Sequence, residues 1–318
     1  MARYVFTRSW QVRRVLLPAL ALLLLHDTLR AAERPYDIGG AQHELGRFRE
    51  LAERLSKQNL FYQLHLADQR KQDLYDTAAE LDRVLDLLRK GSTTYSVAAP
   101  PNAAIRQQIE EVDKAWEPVR RMAVASPYDY LRRANEFLPR QSRLGDPLFI
   151  HSFDRMTQAL LAEVDRLMAL YEQECLKTGY ELCDLAAAHG IPIMLTERVV
   201  KQMVFVYSGR DAKHEVEQLR ETRDAIDAQL ARYDRLPIRR ETTDPARGDA
   251  AAFVAGLWSS INEDWGRLRE QVDLAISGRA QDIDLKRVLK IQSRLVETWE
   301  RLTVVVVRYL DAKYAALR

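Results

Sequence analysis

Leu51-Ala-Glu-Arg-Leu-Ser-Lys-Gln58 returns later in the chain as Leu195-Thr-Glu-Arg-Val-Val-Lys-Gln202, with the same charges in the same order. The similarity extends beyond these octapeptides, because Trp116 is matched by Trp265 at nearly the same separation. Repeats of about 20 to 50 residues are typical of solenoids, whereas a period of roughly 145 residues that occurs twice indicates two copies of a larger module. The sequence therefore predicts two related halves in the 318-residue chain.

Apolar residues recur at steps of three and four along almost the whole chain, which places them on one face of an α-helix. Leu45, Phe48 and Ala52 begin the first of these series. No window shows the sustained alternation of apolar and polar residues that is typical of strands. The sequence therefore predicts an all-α fold, an elongated antiparallel helical bundle built from two repeated helical modules over residues 41–178 and 182–316.

The predicted helix bounds follow from the stop and start signals between these series. Gly91-Ser92 through Pro100-Pro101 ends the first series, because proline lacks a backbone donor and disfavours helix in the preceding residue. Asp146-Pro147 starts another helix with an acidic cap and a proline in the first turn. The predicted helices cover about 41–90, 102–122, 128–138, 147–179, 182–235, 249–275 and 283–316.

Residues 1–32 have the composition of a targeting segment. Arg13-Arg14 precedes an apolar run of eleven residues from Val15 to Leu25, and Ala31-Ala32 follows it. A membrane-spanning helix needs about 20 apolar residues, so the run is more typical of a secretory signal peptide. Because Arg30 makes the site after Ala32 imperfect, the alternatives are a cleaved signal peptide and a retained N-terminal anchor. Both predict export, with a periplasmic or secreted mature protein.

The charge balance depends on that segment. The chain has 48 basic and 46 acidic residues, and removing residues 1–32 leaves 43 and 45, a net charge of −2. No basic stripe is interleaved with aromatic residues, so nucleic acid is not an expected partner. The histidines do not share a helical face with carboxylates, so we expect no metal site. No nucleophile and base in a catalytic order and no phosphate loop are present, so we expect neither an enzyme nor a cofactor.

The repeated segment resembles a known family. Gly46-Arg-Phe-Arg-Glu-Leu-Ala-Glu-Arg-Leu-Ser-Lys57 resembles the Gly-Arg-Gln-Arg-Met-Leu-Ser-Gln-Arg-Met-x-Lys signature of the PilJ-type domain, the N-terminal sensory module of type IV pili methyl-accepting chemotaxis transducers. The second copy is similar too, and it keeps Gly190, Met194, Leu195, Arg198 and Lys201. Related modules form the periplasmic part of nitrate- and nitrite-sensing histidine kinases. The resemblance covers both repeats and implies a periplasmic sensory protein with two PilJ-type modules.

The resemblance also implies a ligand site. In the nitrate-sensing relatives an arginine of this motif contacts the planar anion, and a guanidinium fork suits small oxyanions. Arg49 stands at the matching position, whereas the second copy has Ile193 there, so such a site could be built only from the first copy. The candidate anion-binding residues are Arg47, Arg49, Arg54 and Arg198. The alternative is that these arginines are helix charges paired with neighbouring carboxylates, as Arg54 would be with Glu50 one turn away.

Cys175 and Cys183 are the only cysteines, and an even pair in an exported chain suggests a disulfide. Eight residues of uninterrupted helix would separate their Cα atoms by about 12 Å, beyond the roughly 7 Å limit for a bridge. Lys177-Thr178-Gly179 offers a turn that would bring them together. We therefore predict a disulfide at the junction of the two modules, with two buried free thiols as the alternative.

Two hypotheses of different classes follow for the function. The first is a stand-alone periplasmic sensory or ligand-binding module for a small anion, acting through a partner because no second membrane span, coiled coil or kinase appears before Arg318. The second is a non-sensory interaction protein that docks to pilus or envelope components. The expected partner is a chemoreceptor, a sensor kinase or a pilus component, and a homodimer is a further alternative.

Overall fold

The computed structural model describes residues 35–66, 69–124, 147–177, 190–209, 212–235 and 249–316. Within these ranges the chain forms eight α-helices and one short 3-10 turn, with no β-strand among the elements. The helices are α1 (Pro35–Leu64), α2 (Lys71–Lys90), α3 (Ala103–Val124), α4 (Pro147–Lys177), α5 (Ile191–Tyr207), α6 (Ala212–Arg235), α7 (Asp249–Ile276) and α8 (Leu285–Ala316). The predicted all-α bundle is confirmed. The N-terminal segment 1–32 and the predicted helix at 128–138 lie outside the described residues.

The prediction of single long helices over 41–90 and 182–235 is wrong, because each is broken near its middle. His65 follows α1 in the left-handed region, with φ of 54°. Its N–H donates to Tyr62 O at 3.3 Å and the Leu66 N–H donates to Phe61 O at 2.9 Å, the hydrogen bonds of a Schellman C-cap. Glycine usually occupies this position. Because histidine takes the place of glycine here, the sequence pattern did not indicate that the helix ends at this point.

The second break does carry a glycine. Gly209, with φ of 69°, follows α5 and donates its N–H to Val206 O at 3.0 Å. Glycine adopts this left-handed conformation without the steric cost that a Cβ atom brings. Ser208-Gly209 is therefore a helix stop signal. The prediction of one helix over 182–235 followed the apolar periodicity on both sides of it and ignored this signal.

The described residues form two hydrophobic cores. The first is enclosed by α1 to α4, and its largest side chains are Phe48, Trp116, Phe149, Phe153 and Tyr171. The second is built mainly from α5 to α8, but Leu60 and Phe61 of α1 and Ile150 of α4 also belong to it. The helices α1 and α4 thus contribute to both cores. The division into modules at 41–178 and 182–316 stays a prediction.

The matched tryptophans are buried and make the same contact in each half. Trp116 Nε1 donates to Asp82 Oδ1 at 2.7 Å, and Trp265 Nε1 donates to Asp227 Oδ1 at 2.7 Å. An arginine one turn further along each tryptophan helix binds the other oxygen of the same carboxylate: Arg120 at 2.9 Å and Arg269 at 3.1 Å. The sequence repeat is therefore also a repeat of specific contacts.

A pair of glycines lets α1 approach the start of α5. A Cβ atom built on Gly190 would lie 2.4 Å from the carbonyl oxygen of Gly46, closer than real Cβ atoms come to any heavy atom. Both are the glycines that open the two copies of the signature. Pro192 lies in the first turn of α5, as its missing N–H allows. This close approach places the two repeated segments against each other.

Candidate functional site

The candidate site is built on the contact between α1 and α5, which carry the two copies of the repeated octapeptide. Glu53 of α1 is fully buried, and its carboxylate binds Arg198 Nε at 2.6 Å and Lys201 Nζ at 2.8 Å. Lys201 Nζ also lies 2.6 Å from Asp154 Oδ1 of α4. The Ser56 hydroxyl donates to the same oxygen of Asp154 at 2.9 Å. Two cations of α5 are thus held by carboxylates of α1 and α4.

The same kind of ion pair also occurs with the roles of the two helices exchanged, so that a carboxylate of α5 binds cations of α1. Glu197, at the position that matches Glu53, binds Lys57 Nζ at 2.5 Å and Arg54 Nε at 3.3 Å. The Gln292 side chain of α8 donates to Glu197 at 3.0 Å. Each glutamate is therefore bound by the arginine and lysine of the other copy, a reciprocity that is typical of two-fold interfaces. Sequence reasoning missed this pairing, although glutamate stands third in both octapeptides.

Burial determines how strongly these charges depend on each other. Burial alone would raise the pKa of Glu53, but Lys201 and Arg198 outweigh it and lower that pKa to about 2. Burial would likewise lower the pKa of Lys201, and Asp154 and Glu53 reverse the shift and raise it. A buried pair of this kind is costly to break, because the remaining partner stays charged without compensation. These ion pairs therefore hold α1 and α5 together. The network of Glu53 with Arg198 and Lys201, and of Glu197 with Arg54 and Lys57, is here called the lock.

A cleft of about 370 Å³, here called the first cleft, lies beside this lock between α1, α5 and α8. Arg47 and Arg54 of α1 line it together with the carboxylates of Glu50 and Glu300. His43 also lines it, and burial lowers the pKa of the imidazole, which keeps the ring neutral near pH 7. Among its described lining residues, the first cleft therefore combines two guanidinium groups with two carboxylates and no other charge.

The arginines of the first cleft are paired within the protein. Arg54 Nη2 lies 2.5 Å from Glu50 Oε1 and 3.5 Å from Glu300 Oε1. Arg47 pairs with Glu80 of α2, and 41% of its side chain is exposed. The contact of Arg54 with Glu300 is the longest of these, and 52% of the Glu300 side chain is exposed. Glu300 is thus the carboxylate that leaves its arginine most easily.

Glu50 is the group in the first cleft that titrates near neutral pH. Burial raises its pKa to about 7, Arg54 acts in the opposite direction, and the nearby carboxylates of Glu197 and Glu300 add to the rise. Below that pH the side chain is neutral, and the first cleft has one net positive charge. Above it the charges cancel.

Arg49 and Arg198, the other two arginines predicted for an anion, lie elsewhere. Arg49 Nε lies 2.9 Å from Asp165 Oδ1 of α4, and its side chain lines neither cleft described in this protein. Burial lowers the pKa of Arg49, and Asp165 acts against that shift. Arg198 binds Glu53. All four arginines have carboxylate partners, and of the four Arg47 and Arg54 line the first cleft, so anion binding by any of them stays a prediction.

The two cysteines can be followed only in part. Cys175 is fully buried near the end of α4, whereas Cys183 lies outside the described residues. The helix ends at Lys177, close to the turn predicted at Gly179. The bridge between the two cysteines stays a prediction.

Metal-ligand groupings and membrane-spanning helices are both absent from the described ranges. There, no three or more His, Cys, Asp or Glu side chains are grouped so that they could hold a metal ion. In the same ranges, none of the helices combines the length and the apolar character that crossing a membrane requires.

One family model matches the chain. Residues 44–136 match the PilJ family, described as "Type IV pili methyl-accepting chemotaxis transducer N-term". The matched stretch begins within α1, includes α2 and α3, and ends at residues outside the described ranges. It supports one PilJ-type domain, a helical module related to sensing and signalling in a non-catalytic family. The second copy and the relation to nitrate sensors stay predictions. No match was found among curated proteins or among solved structures.

Proposed function

We propose that this chain is a periplasmic sensory module that binds a small anion in the first cleft and passes its state to a protein partner in the envelope. The match of residues 44–136 to a chemotaxis-transducer domain supports the sensory class. The observation that carries the anion proposal is that two arginines of the signature helix, Arg47 and Arg54, line one cleft. A planar oxyanion such as nitrate or nitrite suits guanidinium forks.

Binding in this cleft requires an exchange of partners. Without a ligand, the guanidinium of Arg54 is engaged by Glu50 and Glu300. An anion that enters replaces Glu300 first, because that contact is long and open to solvent and a surface ion pair is worth only about 0–1 kcal/mol. Glu300 belongs to α8, so the exchange removes one contact between α1 and α8.

The freed part of α8 is where a partner would detect the ligand. The side chain of Val304, one turn after Glu300, lines the first cleft and is 49% exposed. Since α8 also packs on α5 and α7, a small shift at Glu300 changes the surface that α8 offers at this end. A partner that contacts α8 there would bind the two states with different affinities, as a transmitted signal requires.

The test is a calorimetric titration of the folded chain with sodium nitrate and sodium nitrite, with melting curves recorded in parallel. A ligand that binds only the folded state raises its apparent stability. We expect Arg47→Ala to weaken nitrate binding about tenfold or more, since a charged hydrogen bond is worth about 1.5–3 kcal/mol. Arg83→Ala is the matched control, because Arg83 also pairs with Glu80 and does not line the cleft. It should bind nitrate as the unaltered chain does.

The variant Arg49→Ala tests the site that the family resemblance implies. Loss of nitrate binding in Arg49→Ala, with normal binding in Arg47→Ala and Arg198→Ala, would place the anion beside Asp165 rather than in the first cleft. If no anion produces heat or a shift in melting temperature, the sensory proposal fails. The alternative, a non-sensory protein that docks to pilus or envelope components, would then be favoured.

A further inference from the structure

The lock is nearly symmetric in the residues that α1 and α5 contribute. It is not symmetric in the residues that α4 and α8 add to it. Lys201 lies between two carboxylates, those of Glu53 and Asp154. Among the described residues, its counterpart Lys57 has one carboxylate within ion-pair distance, that of Glu197. The side chain of Lys57 is nevertheless 89% buried, since only 11% of it is exposed. One half of the lock thus has a carboxylate that the described part of the other half lacks.

The position of the missing carboxylate follows from matching α4 with α8. At one constant offset, the buried residues Phe153, Thr157, Leu160, Val164 and Leu167 coincide with the buried residues Val288, Gln292, Leu295, Trp299 and Leu302. The same offset places Leu289 where α4 has Asp154, and Ser293 where α4 has Gln158. Gln158 donates to Glu53 at 3.3 Å. Both Leu289 and Ser293 line a cleft together with Lys57, which agrees with this alignment.

This second cleft, of about 360 Å³, lies beside Lys57 and is distinct from the first cleft, with which it shares only Arg54. Arg54, Lys57 and Glu197 are its charged lining residues, so the lining has a net charge of +1, with Arg54 also paired to Glu50 on the side of the first cleft. Phe61, Leu289 and Val296 form an apolar wall. The volume is at the small end of the range for ligand sites, about 300–1,000 Å³.

Gln58 adds an independent indication of a ligand in the second cleft. Its side chain lines the cleft on α1, and the side-chain oxygen is buried without a hydrogen-bond partner among the described residues. A buried acceptor without a donor costs about 1–3 kcal/mol, so such groups are rare unless something else satisfies them. The Gln58 side chain is half-buried, so a rotation of its amide towards the cleft would present this oxygen to the hydroxyl group of a ligand.

We propose that the second cleft binds a small monocarboxylate that carries a hydroxyl group, of the 2-hydroxy acid class. Its carboxylate takes the place beside Lys57 that the Asp154 carboxylate takes beside Lys201. Its hydroxyl donates to Gln58 Oε1 once that side chain has turned towards the cleft, and its short alkyl group lies against Phe61 and Leu289. One negative charge neutralises the cleft, whereas a dicarboxylate would leave it with a net charge of −1.

The probe is L-lactate, titrated into the folded chain by calorimetry, with acetate and malate for comparison. Lactate should bind more tightly than acetate, which lacks the hydroxyl donor, and more tightly than malate, which has a second carboxylate. Lys57→Met keeps most of the apolar stem and removes the charge, and we expect it to weaken lactate binding about tenfold or more. Lys114→Met, at an exposed lysine of α3, is the control and should bind lactate normally.

A second variant keeps the proposal testable if Lys57→Met fails to fold. Leu289→Asp supplies the carboxylate from the protein itself, as α4 does at Asp154. We expect this variant to fold, to have a higher melting temperature at pH 7 than a Leu289→Asn variant, and to lose lactate binding. Unchanged lactate affinity in Leu289→Asp overturns the proposal, and so does the absence of lactate binding in the unaltered chain.

The outcome is separable from that of the proposed sensory function. Arg47→Ala should leave lactate binding unchanged, because Arg47 lines the first cleft and not the second. Nitrate binding that depends on Arg47, without any lactate binding, would retain the sensory proposal and refute the second-cleft ligand. Lactate binding that depends on Lys57, without any response to nitrate or nitrite, would do the reverse.

Discussion

Glu53 is the residue whose removal should cost the most stability. Its buried carboxylate binds Arg198 and Lys201, and Glu53→Gln would leave both cations of α5 with fewer partners. We expect a loss of about 3–5 kcal/mol, the range for breaking one side of a buried ion pair. Urea denaturation at pH 7 measures it. Glu263→Gln, which removes an exposed carboxylate paired along one helix, should change stability by less than about 1 kcal/mol. Equal midpoints for the two variants would contradict the lock.

The lowered pKa of Glu53 predicts how the stability of the folded chain changes at acidic pH. The pKa of Glu53 falls from 4.5 to about 2 on folding, so the carboxylate stabilises the folded chain above pH 4.5 and this contribution disappears as the pH falls towards 2. A shift of that size corresponds to about 3 kcal/mol. The difference in stability between the unaltered chain and Glu53→Gln should therefore shrink between pH 5 and about pH 2.

Gly190 is a second residue at which a single substitution should have a clear effect on stability. A Cβ atom there would lie 2.4 Å from a backbone carbonyl oxygen, and a backbone atom cannot move aside as a side chain can. We expect Gly190→Ala to destabilise the chain by about 1–3 kcal/mol or more. A Cβ atom on Gly256 of α7 would meet no heavy atom of the described residues within 4 Å, so Gly256→Ala should stabilise by about 0.5–1 kcal/mol. Denaturant midpoints that shift in the same direction would refute the close approach.

At the scale of elements, the cleft between α1, α5 and α8 should bind anions in a pH-dependent way. Glu50 titrates with a pKa of about 7 and faces Arg47 and Arg54 of its own helix, Glu197 of α5 and Glu300 of α8. As the pH rises from 6 to 8, Glu50 becomes charged and repels the anion. Nitrate affinity should therefore fall by up to about tenfold over this interval.

Glu50→Gln is the variant that tests this linkage. It should bind nitrate equally at pH 6 and pH 8, because the amide does not titrate. Since folding raises the pKa of Glu50 above 4.5, the unaltered chain loses stability as the pH rises through about 7. The variant should consequently be the more stable of the two at pH 8 and not at pH 4. A nitrate affinity in the variant that still falls with pH would point to another titrating group.

The junction between α4 and α5 is the second element with a test. The predicted disulfide between Cys175 and Cys183 should contribute about 2–3 kcal/mol by closing a short loop in the unfolded chain. Reduction should lower the melting temperature, and Cys183→Ser should do the same without further change on reduction. Two thiols that react freely with an alkylating agent in the oxidised, denatured protein would refute the bridge.

At the scale of the whole molecule, the two cores should unfold together. Leu60 and Phe61 of α1 lie in the second core while the rest of α1 lies in the first, so neither core is complete without this helix. We expect a single transition in urea, with tryptophan fluorescence and helical circular dichroism coinciding. Val112→Ala in the first core and Leu268→Ala in the second should each shift that one transition. A shift confined to one of two separate transitions would show that the halves unfold independently.

Helix positions were largely predictable because helical periodicity is local. The predicted bounds 102–122, 249–275 and 283–316 agree closely with α3, α7 and α8. The failure at α1 and α2 has a specific cause, since the Schellman cap there has His65 in place of glycine. Spacing alone could not reveal it, because the apolar series continues on both sides of the break.

The candidate site was predictable only in its residue types. The sequence marked Arg47, Arg49, Arg54 and Arg198, and the structure brings only two of them to one cleft. The pairing of Arg54 with Glu50 was among the alternatives that the sequence offered. Glu300 and the reciprocal glutamates were missed, because carboxylates are common on charged helices and their spacing carries no signal of burial. The equal place of glutamate in both octapeptides was the one clue available.

By itself, the sequence determined that the chain is helical and that its two halves carry equivalent segments, because both properties depend on residues close together in the chain. The tertiary structure alone decided which charges meet. Glu53 and Lys201, or Arg54 and Glu300, lie far apart in sequence, and their contact depends on how α1 crosses α5 and α8. Helical periodicity in the sequence shows which residues lie on one face of a helix. The energy of each charge depends on its partner, its distance from that partner and its burial, and these come only from the packing of the helices.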